Sequence, residues 1–116
     1  MDNRNLALTD ELASNNELVL SHFDANEGRL VMAADALNFD NAASFLDSFC
    51  QLIGATPEEK QTDADLHSWL VDFEGVTFLL KAEHYSASIW LERLGKEGDE
   101  ELAFLHRWLG LQLTAS

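Results

Sequence analysis

Between residues 66 and 94, apolar and polar side chains alternate with a period of two, interrupted at two turn-like points, and few architectures accept that pattern. Such alternation puts one set of side chains on one face of an antiparallel sheet and the other set on the opposite face. Glu74-Gly75 suits a two-residue hairpin turn, because the tight primed turns need a left-handed backbone that glycine adopts without strain. With the turn placed there, Phe73 faces Val76, Val71 faces Phe78, Trp69 faces Leu80 and His67 faces Ala82. A second turn, centred on His84-Tyr85, sets Ala82 against Ala87, Leu80 against Ile89 and Phe78 against Leu91. Both turns deliver the same apolar set to one surface, so a three-strand meander is expected.

The remaining chain supplies partners for that surface. Leu18 to Phe23 and Leu30 to Met32 read as strands joined by the turn-rich loop Asp24 to Gly28. Asn38 or Asp40 can cap a helix with apolar positions Ala42, Phe45, Leu46, Phe49 and Ile53, and Gly54 follows at its stop. Thr56-Pro57-Glu58-Glu59 reads as the start of one short helical turn, with a polar loop running on to Asp65. Asp99, Glu100 and Glu101 suit the first turn of a last helix that continues through Leu102, Phe104, Leu105, Trp108, Leu109, Leu111 and Leu113. The order β-β-α-β-β-β-α predicts an α+β two-layer sandwich, an antiparallel sheet of about five strands with two helices packed on one face. Residues 1–16 are polar and Asn-rich, with Leu6, Leu8 and Leu12 as their large apolar groups, and are expected to form a flexible tail. Residues 17–116 are expected to form one domain, as suits a chain of 116 residues.

Twenty-one acids against seven bases give a net charge of −14. That balance opposes nucleic-acid binding, which needs a basic patch for phosphates, and docking on anionic membranes. No apolar run reaches the roughly 20 residues of a membrane span, and the first residues do not read as a signal peptide. The single cysteine, Cys50, cannot form an internal disulfide, and a cytoplasmic location is expected. Cys50 falls mid-helix beside the apolar arc with no basic neighbour, so it reads as a packed, inert thiol.

Two groups of residues exceed what the core needs. On the nominally wet face of the meander, Leu70, Leu79 and Trp90 line up across three strands. An antiparallel sheet with one solvated face normally alternates cleanly, so this row is a candidate interaction surface, alternatively covered by the N-terminal segment. The last helix carries two apolar stripes, Leu102, Leu105 and Leu109 beside Phe104, Trp108 and Leu111; either it lies deep in the fold or one stripe meets another subunit.

The histidines are His22, His67, His84 and His106. His67, Glu83, His84 and Tyr85 gather at one end of the meander as a candidate ligand site, but no HxH, HExxH or CxxC spacing supports a metal. No metal, cofactor or catalytic residue is therefore assigned. Asp24, Asn26 and Gly28 superficially match the start of a calcium loop, yet the third acid is missing and the next residues read as strand.

The segments His67-Ser68-Trp69-Leu70-Val71-Asp72-Phe73-Glu74-Gly75 and Glu83-His84-Tyr85-Ser86-Ala87-Ser88-Ile89-Trp90-Leu91-Glu92 resemble a domain-of-unknown-function family of small, mostly gammaproteobacterial proteins. The resemblance implies a bacterial, cytoplasmic protein and brings no activity. Size, acidity and α+β composition are also similar to those of small secretion chaperones, although those place three strands before the middle helix. The sequence thus predicts a non-enzymatic protein–protein interaction module, an adaptor or chaperone-like protein that forms a homodimer or binds another protein through Leu70, Leu79 and Trp90. The alternative is a small-ligand or metal-dependent enzyme using the histidine end.

Overall fold

A computed structural model of the protein describes residues 18–114; the expectations for residues 1–16, including Leu6, Leu8 and Leu12, lie outside it. The first hairpin of the meander has the register that its turn dictates. Strand β4 (Leu66–Phe73) pairs with β5 (Val76–Glu83) in the four expected contacts, His67↔Ala82, Trp69↔Leu80, Val71↔Phe78 and Phe73↔Val76. Glu74 and Gly75 both take left-handed backbone angles, with φ of 56° and 84°.

The second turn differs. Four residues, His84 to Ala87, connect β5 to β6 (Ser88–Arg93), and Ala82 pairs with Ile89, Leu80 with Leu91 and Phe78 with Arg93. The register is shifted by two residues from the expected one. Ala87, at φ 52°, closes the turn by donating its N–H to the His84 carbonyl at 3.1 Å. A shift of two preserves which face each side chain occupies, so the core set survives while the cross-strand partners change.

The sheet has six strands rather than about five. Strand β1 (Leu18–Asp24) pairs with β2 (Arg29–Ala34) through a bulge between Leu20 and His22. The strand missing from the expected order is β3 (Thr56–Asp63), where a helical turn and loop were expected. It is antiparallel to β4 and lies at the far edge, in the order β1-β2-β6-β5-β4-β3. Edge position explains why so polar a segment is a strand: its charges and Pro57 deter pairing with other chains, and one ladder suffices to hold it. Lys60, opposite Trp69, lies 4.4 Å above that indole ring and 3.8 Å from Asp47.

Helix α1 (Ala42–Ile53) carries the chain from β2 across to β3, and α2 (Asp99–Thr114) follows β6. The cap of α1 is Asn41 rather than Asn38 or Asp40. Asn38 and Asn41 instead exchange bonds, each side-chain oxygen accepting the other's backbone N–H at 2.7 and 2.9 Å, which fixes the entry turn. Gly54 ends the helix in a left-handed conformation, donating to the Cys50 carbonyl as expected of a terminal glycine.

Both helices and one face of the sheet share a single buried cluster, including Phe45, Leu46 and Phe49 from α1, Leu102, Leu105 and Leu109 from α2, and Trp69, Val71, Phe78, Leu80, Ile89 and Leu91 from the meander. Each such side chain contributes roughly 1.5–3 kcal/mol on removal from water, which makes this face the principal source of stability. The last helix is not buried all round: Leu102, Leu105 and Leu109 are inside, whereas Phe104 and Leu111 are exposed and Trp108 is half-buried.

Candidate functional site

Strand register places the candidate interaction residues on the outer face of the sheet, away from the helices. Leu70 sits directly opposite Leu79, as expected. Trp90 does not sit opposite Leu79; the shifted register puts it between Val31 and Lys81, diagonal to Leu79. Across β2, β6, β5 and β4 the outer face therefore holds Val31, Trp90, Leu79 and Leu70, all half-buried. Cross-strand neighbours of this kind shield one another from water and hold rotamers in place.

Three side chains of this face converge on one carboxylate. Glu92 Oε1 accepts a hydrogen bond from the Trp90 indole N–H at 3.1 Å and lies 3.8 Å from Lys81 Nζ and 3.9 Å from Arg29 Nε. This bond ties the indole to the side chain two residues further along β6. Each of these surface ion pairs contributes only ~0–1 kcal/mol to stability. Arg29 and Lys81 offset only part of the acid on this face, which also carries Glu59 opposite Leu70, Asp72, Glu83 and Glu92.

The histidine end is divided by the sheet. His67 lies beside Ala82 as expected and is buried; its Nδ1 is 3.1 Å from the Thr62 hydroxyl, while Nε2 has no hydrogen-bond partner among the described residues. Phe39, from the loop between β2 and α1, was not singled out by the sequence, yet its ring lies 5.9 Å from that of His67 and 6.2 Å from that of His84. His84 stacks in turn against Tyr85 at 4.4 Å, and Tyr85 is 75% exposed. Glu83 faces the other side of the sheet, beside Leu66 and Ser88, and its Oε1 accepts the Ser86 hydroxyl at 2.7 Å. Two of the four candidate ligand residues, His67 and His84, thus flank Phe39, Tyr85 joins them only through His84, and Glu83 stands apart. A proton transfer at His67 Nε2 would have to reach an atom sealed from solvent. Among the described residues no group of three or more His, Cys, Asp or Glu side chains is placed to hold a metal ion.

Of the other histidines, His106 stacks on Phe23 at 4.7 Å, and His22 is exposed on β1. Asp24, Asn26 and Gly28 form the turn between β1 and β2; Asp24 Oδ1 accepts the Glu27 N–H at 3.0 Å, and the Gly28 N–H bonds to the Asp24 carbonyl. Cys50 is buried in α1, and desolvation, helped by nearby Asp47 and opposed by Lys60, pushes its thiol up to about 11. A thiol with so little thiolate at neutral pH is a poor nucleophile. No helix among the described residues is long and apolar enough to cross a membrane.

No curated protein and no solved structure matches this chain significantly. The profile of a family described as "Protein of unknown function (DUF3630)" matches residues 18–109, from the first residue of β1 into the last turns of α2. That span covers every strand, α1 and most of α2, and the chain belongs to the DUF3630 family.

Proposed function

We propose that this protein is a non-enzymatic interaction module, adaptor- or chaperone-like, which self-associates as a homodimer through the outer face of its sheet. The observation that carries the proposal is the row Val31, Trp90, Leu79 and Leu70 on the face that the helices leave uncovered. Tryptophan is enriched at the energetic centres of interfaces, where its large area is gained with little loss of side-chain freedom. A second copy of the chain suits this face better than most partners do. Two molecules of charge −14 repel over most of their surfaces, but here Arg29 and Lys81 give each copy two cations to set against the other's acids. The single buried thiol and the acidic surface are consistent with a reducing bacterial cytoplasm as the place of action.

Light scattering across a concentration series tests the reading, with the wild-type chain and Trp90→Asp compared. The expected result is a dimer for the wild type and a monomer for Trp90→Asp, with far-UV circular dichroism unchanged. A wild-type monomer at every concentration refutes self-association. Unfolding of Trp90→Asp means that the residue belongs to an intramolecular core. The same measurement on a chain beginning at Glu17 separates the two possible occupants: dimerisation that begins only after truncation assigns the face to residues 1–16.

A further inference from the structure

At the end of the sheet opposite the histidines, the β4–β5 turn meets the start of α2 and leaves an open cleft of about 460 Å³. Phe73, Phe104, Glu74, Glu100 and Glu101 line it. The two phenylalanine rings stack 6.5 Å apart at an interplanar angle of 17°. Phe73 is buried, whereas Phe104 is 47% exposed and presents the rest of its ring to solvent. Glu100 and Glu101 precede Phe104 by four and three residues on α2, so all three share one side of the helix. Glu74 comes from the neighbouring turn, where its left-handed backbone sets it at the mouth of the cleft.

None of these three carboxylates makes an ion pair among the described residues, although Asp99, one residue earlier, is taken up by Arg93. The positive end of α2 offsets only part of their charge, since a helix dipole is equivalent to roughly +0.5 against three full negative charges. The cleft thus combines an aromatic floor with a negative rim that forms no ion pair among the described residues, Lys96 lining the adjoining groove with Glu100 and Glu101.

We infer that this cleft is a docking site for an arginine side chain carried on a basic segment of a partner protein. A guanidinium is planar and weakly hydrated, stacks on an aromatic face, and offers paired donors that match carboxylates. Lysine fits less well: its compact, strongly hydrated ammonium gains less from the exposed ring. The site lies apart from the Trp90 face and does not depend on self-association.

Fluorescence anisotropy tests the inference on the full-length chain, using a dye-labelled pentapeptide of alternating arginine and alanine and its lysine counterpart. The arginine peptide is expected to bind more tightly than the lysine peptide. Phe104→Ala is expected to weaken it about threefold, the scale of an exposed cation–π contact. Glu100→Gln combined with Glu101→Gln is expected to weaken it about tenfold by removing two charge-assisted partners. Glu58→Gln combined with Glu59→Gln removes the same charge from the exposed edge strand β3 and is expected to leave affinity within twofold. Absence of binding by the wild type overturns the proposal. So does an equal loss in the β3 variant, which would show diffuse attraction to an acidic protein, or an unchanged affinity for Phe104→Ala.

Discussion

Replacing Gly28 by alanine tests whether Arg93 clamps the β1–β2 turn to the start of α2. The Arg93 guanidinium donates from Nη2 to the Asn26 carbonyl at 3.0 Å, from Nη1 to the Ala25 carbonyl at 3.5 Å, and pairs with Asp99 on α2. Its stem crosses directly over Gly28, where an added Cβ would lie 2.4 Å from Arg93 Cγ. Gly28 also has φ of 68°, so any other residue there bears a left-handed strain of ~1–2 kcal/mol. Displacing Arg93 forfeits one good and one long carbonyl bond, at about 0.5–1.5 kcal/mol for the better one, and a half-exposed ion pair at ~0–1 kcal/mol. Gly28→Ala is therefore expected to cost about 2–4 kcal/mol, read as a lowered urea midpoint with unchanged slope. The decisive comparison is the double variant. Once Arg93→Ala has emptied the space, Gly28→Ala has only the backbone strain to add, so the combined loss should fall short of the sum by about 1 kcal/mol. Strict additivity would refute the clamp, as would a loss below about 0.5 kcal/mol for Gly28→Ala alone.

The raised thiol of Cys50 has a defined consequence at alkaline pH. Its folded value near 11 exceeds the ordinary 9.0, so the folded state holds a proton that the unfolded state releases. Its contribution to stability is complete below pH 9.0 and is lost as pH climbs toward 11; in denaturant titrations over that range, wild type should lose more stability than Cys50→Ala, and parallel slopes would contradict the assignment. His67→Leu removes the unpaired buried Nε2 while leaving the Thr62 hydroxyl to water, so stability should hold or rise by about 1 kcal/mol. A drop of about 2 kcal/mol on chemical denaturation would show that the imidazole is satisfied in solution.

Legibility of the fold followed the chemistry of the turns. Glu74-Gly75 offered a glycine where the backbone turns left-handed, and the pairs it implies are those observed. His84 to Ala87 contains no glycine; Ala87 takes the left-handed position itself, and the centre of that turn was misplaced with a two-residue change of register. Because two is the side-chain period of a strand, the core residues were assigned correctly even so, while Trp90 moved from Leu79 to Lys81. Strand β3 left no pattern to read. Its residues alternate no apolar set, Pro57 argues against a strand, and the following turn puts Ala64 rather than a glycine at φ 55°. Its stability comes from the β4 ladder and the Lys60 stem over Trp69, both of them tertiary. The sites divide in the same way. The outer row followed from parity alone, but Phe39 beside His67 and Glu74 beside Glu100 are brought together by topology.

Charge distribution predicts opposite responses to salt for the two surfaces. Four of the seven basic residues are committed within the described fold: Arg29 and Lys81 beside Glu92, Lys60 beside Asp47 and Arg93 beside Asp99. The outer face receives two of them against Glu59, Asp72, Glu83 and Glu92, so what resists its pairing with a second copy is repulsion between two strongly acidic molecules. Raising ionic strength shortens the Debye length from about 10 Å at 0.1 M to about 3 Å at 1 M, which removes that repulsion and leaves the apolar contact of Trp90, Leu79 and Leu70 intact. Self-association should strengthen with salt. The Phe104 cleft receives none of the four, and its attraction for a guanidinium resides in Glu74, Glu100 and Glu101, so peptide binding there should weaken over the same range. Light scattering and anisotropy across one salt series thus carry opposite signs. If self-association weakened with salt as well, its driving force would be ionic, and the contact would have to be reassigned from the Trp90 row to the charged pairs around Glu92.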